Sequence, residues 1–259
     1  MNNILIIIIL FFIFYIPSSV FADSLLITKT IQLEDEIEFD GIWTHPNEWK
    51  PTSSQQIDTK NGPIYFRFAH QDNFVYFLID VVADKNPEKN ADKAIICFDT
   101  ENDKTLLANQ DDYCFISVLG RNVGHTIQGG SYLSTQNYFK KIINHENFIG
   151  IGNISDENDR YSVTPHSSYE FRIPTDVITR SNVYGFYVGV FDQSENTLYS
   201  WPASATSHYT KIPSPSTWGI LVSPDSSLPE FHLPFITVIV GLIGILVITQ
   251  SKISNLLRF

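Results

Sequence analysis

Apolar and β-branched residues recur along this chain in short runs, at 25–33, 64–69, 74–82, 94–98, 113–119, 169–173, 183–191 and 218–222, each bounded by Gly, Pro, Asn, Asp or Ser. Long 3.6-residue periodicity is missing from these runs, so an all-β chain is expected. The clearest hairpin joins Ile64-Tyr65-Phe66-Arg67-Phe68-Ala69 to Phe74-Val75-Tyr76-Phe77-Leu78-Ile79 through His70-Gln71-Asp72-Asn73, where Asp and Asn accept turn geometry. One short helix is expected at 174–178, with Pro174 at its first position. Many short antiparallel strands over about 200 residues predict a single antiparallel β-sandwich, jelly-roll-like in outline. The stretch 120–160 is less regular, rich in Gly, Asn and Ser, and reads as loop elaboration.

Two apolar segments flank this domain and set its compartment. The first runs from Ile4 to Ile16 and is followed by Pro17 and by Val20-Phe21-Ala22, small enough for cleavage before Asp23, so residues 1–22 read as a signal peptide. Met1-Asn2-Asn3 carries no Lys or Arg, which leaves an uncleaved anchor as the alternative. Residues 233–249 contain no charge and as a helix would span roughly 25 Å, enough for a membrane crossing. The expected division is therefore a signal peptide at 1–22, the sandwich at 23–222, a Ser/Pro linker at 223–232, a transmembrane helix at 233–250 and a cytoplasmic tail at 251–259. Lys252 and Arg258 hold the tail inside and place the sandwich outside the cell. Pro229-Glu230-Phe231 ahead of the span resembles the archaeal PEF-type sorting signal, in which a transpeptidase-like enzyme removes the span; a permanent single-pass anchor is the simpler expectation.

Charge excludes one class of partner. Residues 23–228 hold 15 of the 17 Lys+Arg but 27 of the 28 Asp+Glu, in a chain of net charge −11. A surface so acidic, with no basic run longer than Lys140-Lys141, does not suit nucleic acid. Nor does any constellation point to catalysis, since GxSxG, HExxH and a Gly-rich phosphate loop are all missing.

The acidity does suit a hard cation. Asp99-Thr100-Glu101-Asn102-Asp103 alternates oxygen-bearing side chains, and Asp112 stands before the next strand, so Asp99, Glu101, Asp103 and Asp112 are the candidate Ca2+ ligands; the alternative is a solvated acidic turn. An EF-hand is excluded, because its Gly and terminal Glu are missing. Cys97 and Cys114, the only cysteines, lie in two neighbouring β-like runs. If these pair as a hairpin in an exported protein, a disulfide can close between them; otherwise they are two small buried hydrophobes. Asn153-Ile154-Ser155 is a glycosylation sequon, with Asn153 the acceptor.

Several spaced motifs converge on a family resemblance. Phe39-Asp40-Gly41-Ile42-Trp43, Glu48-Trp49, the hairpin ending in Asp80 and Asp84, Cys97-Phe98-Asp99-Thr100-Glu101-Asn102, Tyr169-Glu170-Phe171-Arg172-Ile173-Pro174, Trp201-Pro202 and Trp218-Gly219 stand in an order that resembles the family 9 carbohydrate-binding module and the wider DOMON-like group. The resemblance spans roughly 31–222. It implies a β-sandwich that binds sugar in some members and haem in others, commonly as an extracellular, non-catalytic accessory domain. In sugar-binding members a pair of Trp residues clamps the ligand. Here Trp43, Trp49, Trp201 and Trp218 are expected in the core, so Tyr132, Tyr138, Phe139 and Tyr199 are the aromatic candidates for a glycan. Haem is the alternative, but Met1 is the only methionine and CxxCH is missing, which leaves only unpaired histidines as ligands. Glu170 is expected to bond a neighbouring turn. The expected function is thus a membrane-anchored glycan-binding domain, with a haem-binding electron-transfer domain or an envelope interaction protein without a small ligand as alternatives.

Overall fold

The computed structural model describes residues 24–26, 28–29, 37–132, 138–207 and 211–223. The expected signal peptide at 1–22, the expected span at 233–250 and the expected tail at 251–259 lie outside the described residues, among which no helix is long and apolar enough to cross a membrane. The strands are β1 (Ser24–Leu26), β2 (Thr28–Lys29), β3 (Ser53–Thr59), β4 (Gly62–Gln71), β5 (Phe74–Val81), β6 (Lys93–Asp99), β7 (Asp112–Val118), β8 (His125–Gln128), β9 (Lys140–Lys141), β10 (Ile149–Ile154), β11 (Ser167–Pro174), β12 (Val183–Asp192), β13 (Thr197–Trp201) and β14 (Gly219–Val222). One short helix, α1 (Thr175–Ile178), follows β11 and begins just after Pro174.

Two sheets form. The larger runs β1-β14-β12-β6-β7-β8-β9, with β13 also pairing β12; the smaller runs β10-β11-β5-β4-β2, with β3 also pairing β4. Pairing is antiparallel except for β1 with β14 and β2 with β4. The expected hairpin is β4–β5, in which Gln71 pairs Phe74 across a turn where Asp72 takes φ 53°.

Period-2 alternation decides what lies between the sheets. Ile64, Phe66, Phe68, Phe77, Ile79, Phe171 and Ile173 from the smaller sheet meet Ala94, Ile96, Phe98, Phe115, Phe186 and Val188 from the larger in one buried cluster. Phe98 sits edge-on to Phe77, Phe115 and Phe186, the arrangement that ring quadrupoles favour. The result is an all-β sandwich built from antiparallel sheets.

Outside the smaller sheet, the 37–52 segment folds back over β4 and β5 and is tied to β11 by one buried carboxylate. Glu170 accepts the backbone N–H groups of Gly41 (2.8 Å) and Asp40 (3.0 Å) and the Nε1–H of Trp49 (2.9 Å). These partners lie 121 to 130 residues away, so the expected local bond to a neighbouring turn is instead a long-range clamp. Gly41 is required there: it takes φ 91°, and a Cβ would stand 2.8 Å from Asn153 Cβ. All four tryptophans are buried.

Candidate functional site

The outer face of the larger sheet carries the most developed surface, and strand register builds it row by row. Tyr187, Cys97, Cys114, Ile127 and Lys141 form one row across β12, β6, β7, β8 and β9; Gly189, Ile95, Ile116 and His125 form the next; Phe191, Lys93 and Val118 form the third. Loops cover one end of this face: Trp218 stacks on Tyr187 at 6.1 Å, and Ala108, Phe139 and Ala205 close over the two cysteines. The other end stays open as a groove of about 340 Å3.

Its floor is Ile95 and Ile116, half-buried, and its walls carry Lys93, His125 and Lys211. Gly189 keeps the floor low, since a Cβ there would meet Tyr187 Oη at 2.5 Å. Burial pushes the Lys93 ammonium below its ordinary value. Burial does the same to His125, helped by the charges of Lys141 and Lys93. His125 is therefore held neutral beside the charges of Lys93 and Lys141 on one face of an acidic domain, an arrangement an anion relieves.

The sequence-selected aromatics fall in different places. Tyr132 is 75% exposed and meets Tyr138 edge-on at 5.9 Å, and Tyr138 packs against the same outer-face cluster as Ile95 and Ile116. Phe139 is buried beneath them. Tyr199 lies on the opposite side of the sheet: it pairs the core residue Val190, packs against the sandwich interior and its hydroxyl accepts a hydrogen bond from Asn61 at 3.3 Å. The three tyrosines are thus not one site. Lys93, Ile95, Ile116 and His125 were missed, although a signal existed. Once Cys97 faces Cys114, the residues two positions away on each strand share their face.

Cys97 and Cys114 are directly paired across β6–β7 and joined through their sulfurs. Asn153 lies on β10, donating its side-chain amide to the Asp40 carbonyl at 3.1 Å, and Ser155 of the sequon is buried against His166.

The predicted cation set is regrouped. Asp99 and Asp103 have carboxylate oxygens within 4.8 Å of that of Asp111, which takes the place expected for Glu101 and Asp112. Asp112 sits opposite Asp99 on the same face of the ladder, but its carboxylate accepts the Asn109 N–H at 2.7 Å, which turns it toward its own loop. Asp99 accepts the N–H groups of Asp103 (3.1 Å) and Lys104 (2.9 Å), while Lys104 Nζ reaches over to the Trp218 and Gly219 carbonyls. Burial, with the charge of Asp99 beside it, pushes Asp112 up to about 8, and burial pushes Asp80 and Asp92 up to about 6.

A pH dependence follows. Each of these three carboxyls binds its proton more tightly folded than unfolded, so its contribution to stability is complete below the unfolded value of 3.8 and is lost as pH rises through about 6 for two of them and about 8 for the third. In chelator, the melting temperature is expected to fall steadily between about pH 5 and about pH 8. A melting temperature that climbs over that range would contradict the buried environment of these groups.

No protein-family model matches the chain, and no curated protein matches it. Among solved structures, the fold is similar to that of a carbohydrate binding module family 9 from Caldicellulosiruptor kristjanssonii in complex with cellotriose, at 14% identity and a TM-score of 0.45 over 80% of this chain and 97% of that one. It is likewise similar to a carbohydrate binding module family 9 from Caldicellulosiruptor kristjanssonii in complex with glucose, at 12% identity and a TM-score of 0.46 over 81% of this chain and all of that one.

Proposed function

We propose that this chain is an exported, membrane-anchored, non-catalytic glycan-binding domain whose ligand is an acidic polysaccharide lying along the outer face of the larger sheet. The observation that carries the reading is the groove itself: an apolar floor of Ile95 and Ile116 between Lys93, Lys211 and His125, in a protein of net charge −11. A pyranose offers C–H groups to such a floor, and a uronate or sulfate offers an anion to Lys93 and Lys211 and an acceptor to His125. Tyr132 and Tyr138, on the same face, supply an aromatic edge for a further sugar unit. Export rests on residues 1–22 and the anchor on residues 233–250, with the sandwich outside the cell. Asp99, Asp103 and Asp111 are a proposed structural Ca2+ site on the loop that borders this face.

The test is a glycan screen of the full-length protein, in calcium and in chelator, against neutral glucans and polyuronates. Polyuronates are expected to bind, more weakly as salt rises, and Lys93→Ala to weaken them by about 10-fold. Binding of neutral glucans that Lys93→Ala leaves untouched would overturn the acidic ligand. Silence on every glycan would favour an envelope interaction protein, and a Soret band in the purified protein would favour haem.

A further inference from the structure

On the other side of the molecule, where β5 meets the start of β11, three side chains that the glycan reading does not use converge out of solvent. Asp80 projects from β5, His166 stands just before β11 and Asp159 comes from the intervening 155–166 loop. Their side chains are 0%, 1% and 2% exposed. His166 Nε2 lies 2.6 Å from Asp80 Oδ1 and 3.8 Å from Asp159 Oδ1, and one donor atom from each residue falls within 4.8 Å of the others.

The tautomer of His166 sharpens the case. Its Nδ1 lies 2.7 Å from the Thr164 carbonyl, which only accepts, so Nδ1 carries the proton. Ser155 Oγ also meets Nδ1 at 3.0 Å and accepts the His166 backbone N–H at 3.1 Å, which fixes the ring orientation. Thr164 fixes only the Nδ1 proton; when Nε2 carries none, the neutral imidazole aims the lone pair of Nε2 at the two carboxylates. Lone pairs facing one another in a buried space require something positive between them. A proton on Nε2 serves one contact only. The second oxygens of both carboxylates, Asp80 Oδ2 and Asp159 Oδ2, are buried without a hydrogen-bond partner. Two carboxylates and an imidazolium would also leave a buried net negative charge, whereas a divalent ion with a neutral imidazole leaves none.

From this geometry we infer that Asp80, Asp159 and His166 form a buried site for a divalent transition-metal ion, of which Zn2+ is the test case. One imidazole nitrogen and two carboxylates suit Zn2+ rather than Ca2+, which takes six to eight oxygens. In tetrahedral coordination, neighbouring ligand atoms stand about 3.4 Å apart, so Asp80 moves outward by about 0.8 Å and Asp159 inward by about 0.4 Å. Ser155 and Thr164 are the outer partners that orient the histidine, as outer partners of metal-bound histidines do. The ion pins the 155–166 loop to β5. That loop presents Tyr161, stacked on Tyr65 at 3.8 Å, and Arg160, 5.1 Å over Trp43. The site does not depend on the glycan reading, since it lies on the other sheet.

The experiment strips the full-length protein with chelator and titrates it with Co2+, followed by Zn2+. Expected are a visible ligand-field spectrum that saturates at about one equivalent, its loss on adding Zn2+, and its persistence in excess Ca2+. Asp159→Asn keeps the Oδ1 that accepts the Tyr161 and Ser162 N–H groups, so the loop retains its turn. It is expected to weaken Co2+ by more than roughly 100-fold, beyond the 10–100-fold typical of losing an outer-shell partner. Asp103→Asn, at the separate Asp99 cluster, is expected to leave the spectrum unchanged. Absence of a saturable Co2+ spectrum in the folded protein would overturn the inference in favour of a proton shared within the trio. So would Co2+ affinity unaltered in Asp159→Asn.

Discussion

Glu170→Ala is expected to lower stability by about 4 kcal/mol. Three donors converge on this carboxylate, the N–H groups of Asp40 and Gly41 and the indole N–H of Trp49. Alanine leaves all three without their acceptor, at about 1–3 kcal/mol each, offset in part because the carboxylate itself no longer has to be buried. Burial pushes the Glu170 carboxyl well above the ordinary range, against the Gly41 hydrogen bond, and the nearby charge of Glu48 adds to the rise. For a domain of this size, the loss corresponds to roughly 8–16 °C in melting temperature. Glu170→Gln is expected to be destabilising as well, because its amide N–H2 must face either the two backbone donors or Trp49. Combining Glu170→Gln with Trp49→Phe removes one of those donors, so the double variant should lose less than the sum of the two single ones. Chemical denaturation of the four proteins checks this, and a Glu170→Ala midpoint within about 1 kcal/mol of the parent would refute the clamp.

Removing the Cys97–Cys114 crosslink ranks second. The two residues are separated by 17 positions, and closing a loop of that length restricts the unfolded chain by about 3 kcal/mol. Replacing both cysteines by Ala is therefore expected to lower the melting temperature by roughly 6–12 °C. The loss should extend to the outer-face groove, because Ile95 and Ile116 are the next residues on the same faces of the same two strands. Alkylation of the denatured, unreduced protein offers a direct check: two modified thiols would show that the crosslink does not form.

Much of the sandwich was legible because its central strands are buried on at least one face. Runs such as 74–82 and 183–191 had to be apolar, and β5 and β12 lie at those positions. Peripheral strands were not. β3 reads Ser-Ser-Gln-Gln-Ile-Asp-Thr and β10 reads Ile-Gly-Ile-Gly-Asn-Ile, within or beside stretches that look like loop. Their ladders are completed by β4 and β11, so backbone hydrogen bonding holds them with little demand on side chains. The Asp99 loop shows the limit within a site. Spacing of oxygen-bearing residues pointed to Glu101 and Asp112, but Asp111 faces Asp99 and Asp103, while the Asp112 carboxylate is turned to the Asn109 N–H of its own loop.

By itself, the sequence determined an acidic, all-β domain with a hairpin at 64–79, since alternation, turn residues and composition act over a few neighbours; the facing of Cys97 and Cys114 was settled by strand register. Only the tertiary structure decided which carboxylates share space. Glu170 reaches a loop 129 residues away and His166 meets Asp80 across 86, distances in sequence over which no local pattern operates. The same holds for the groove, whose floor and the neighbouring Lys93 and His125 come together through strand order. Pairing of β6 with β7 and of β7 with β8 is set by burying the opposite face, and the outer-face neighbours are a consequence of that burial.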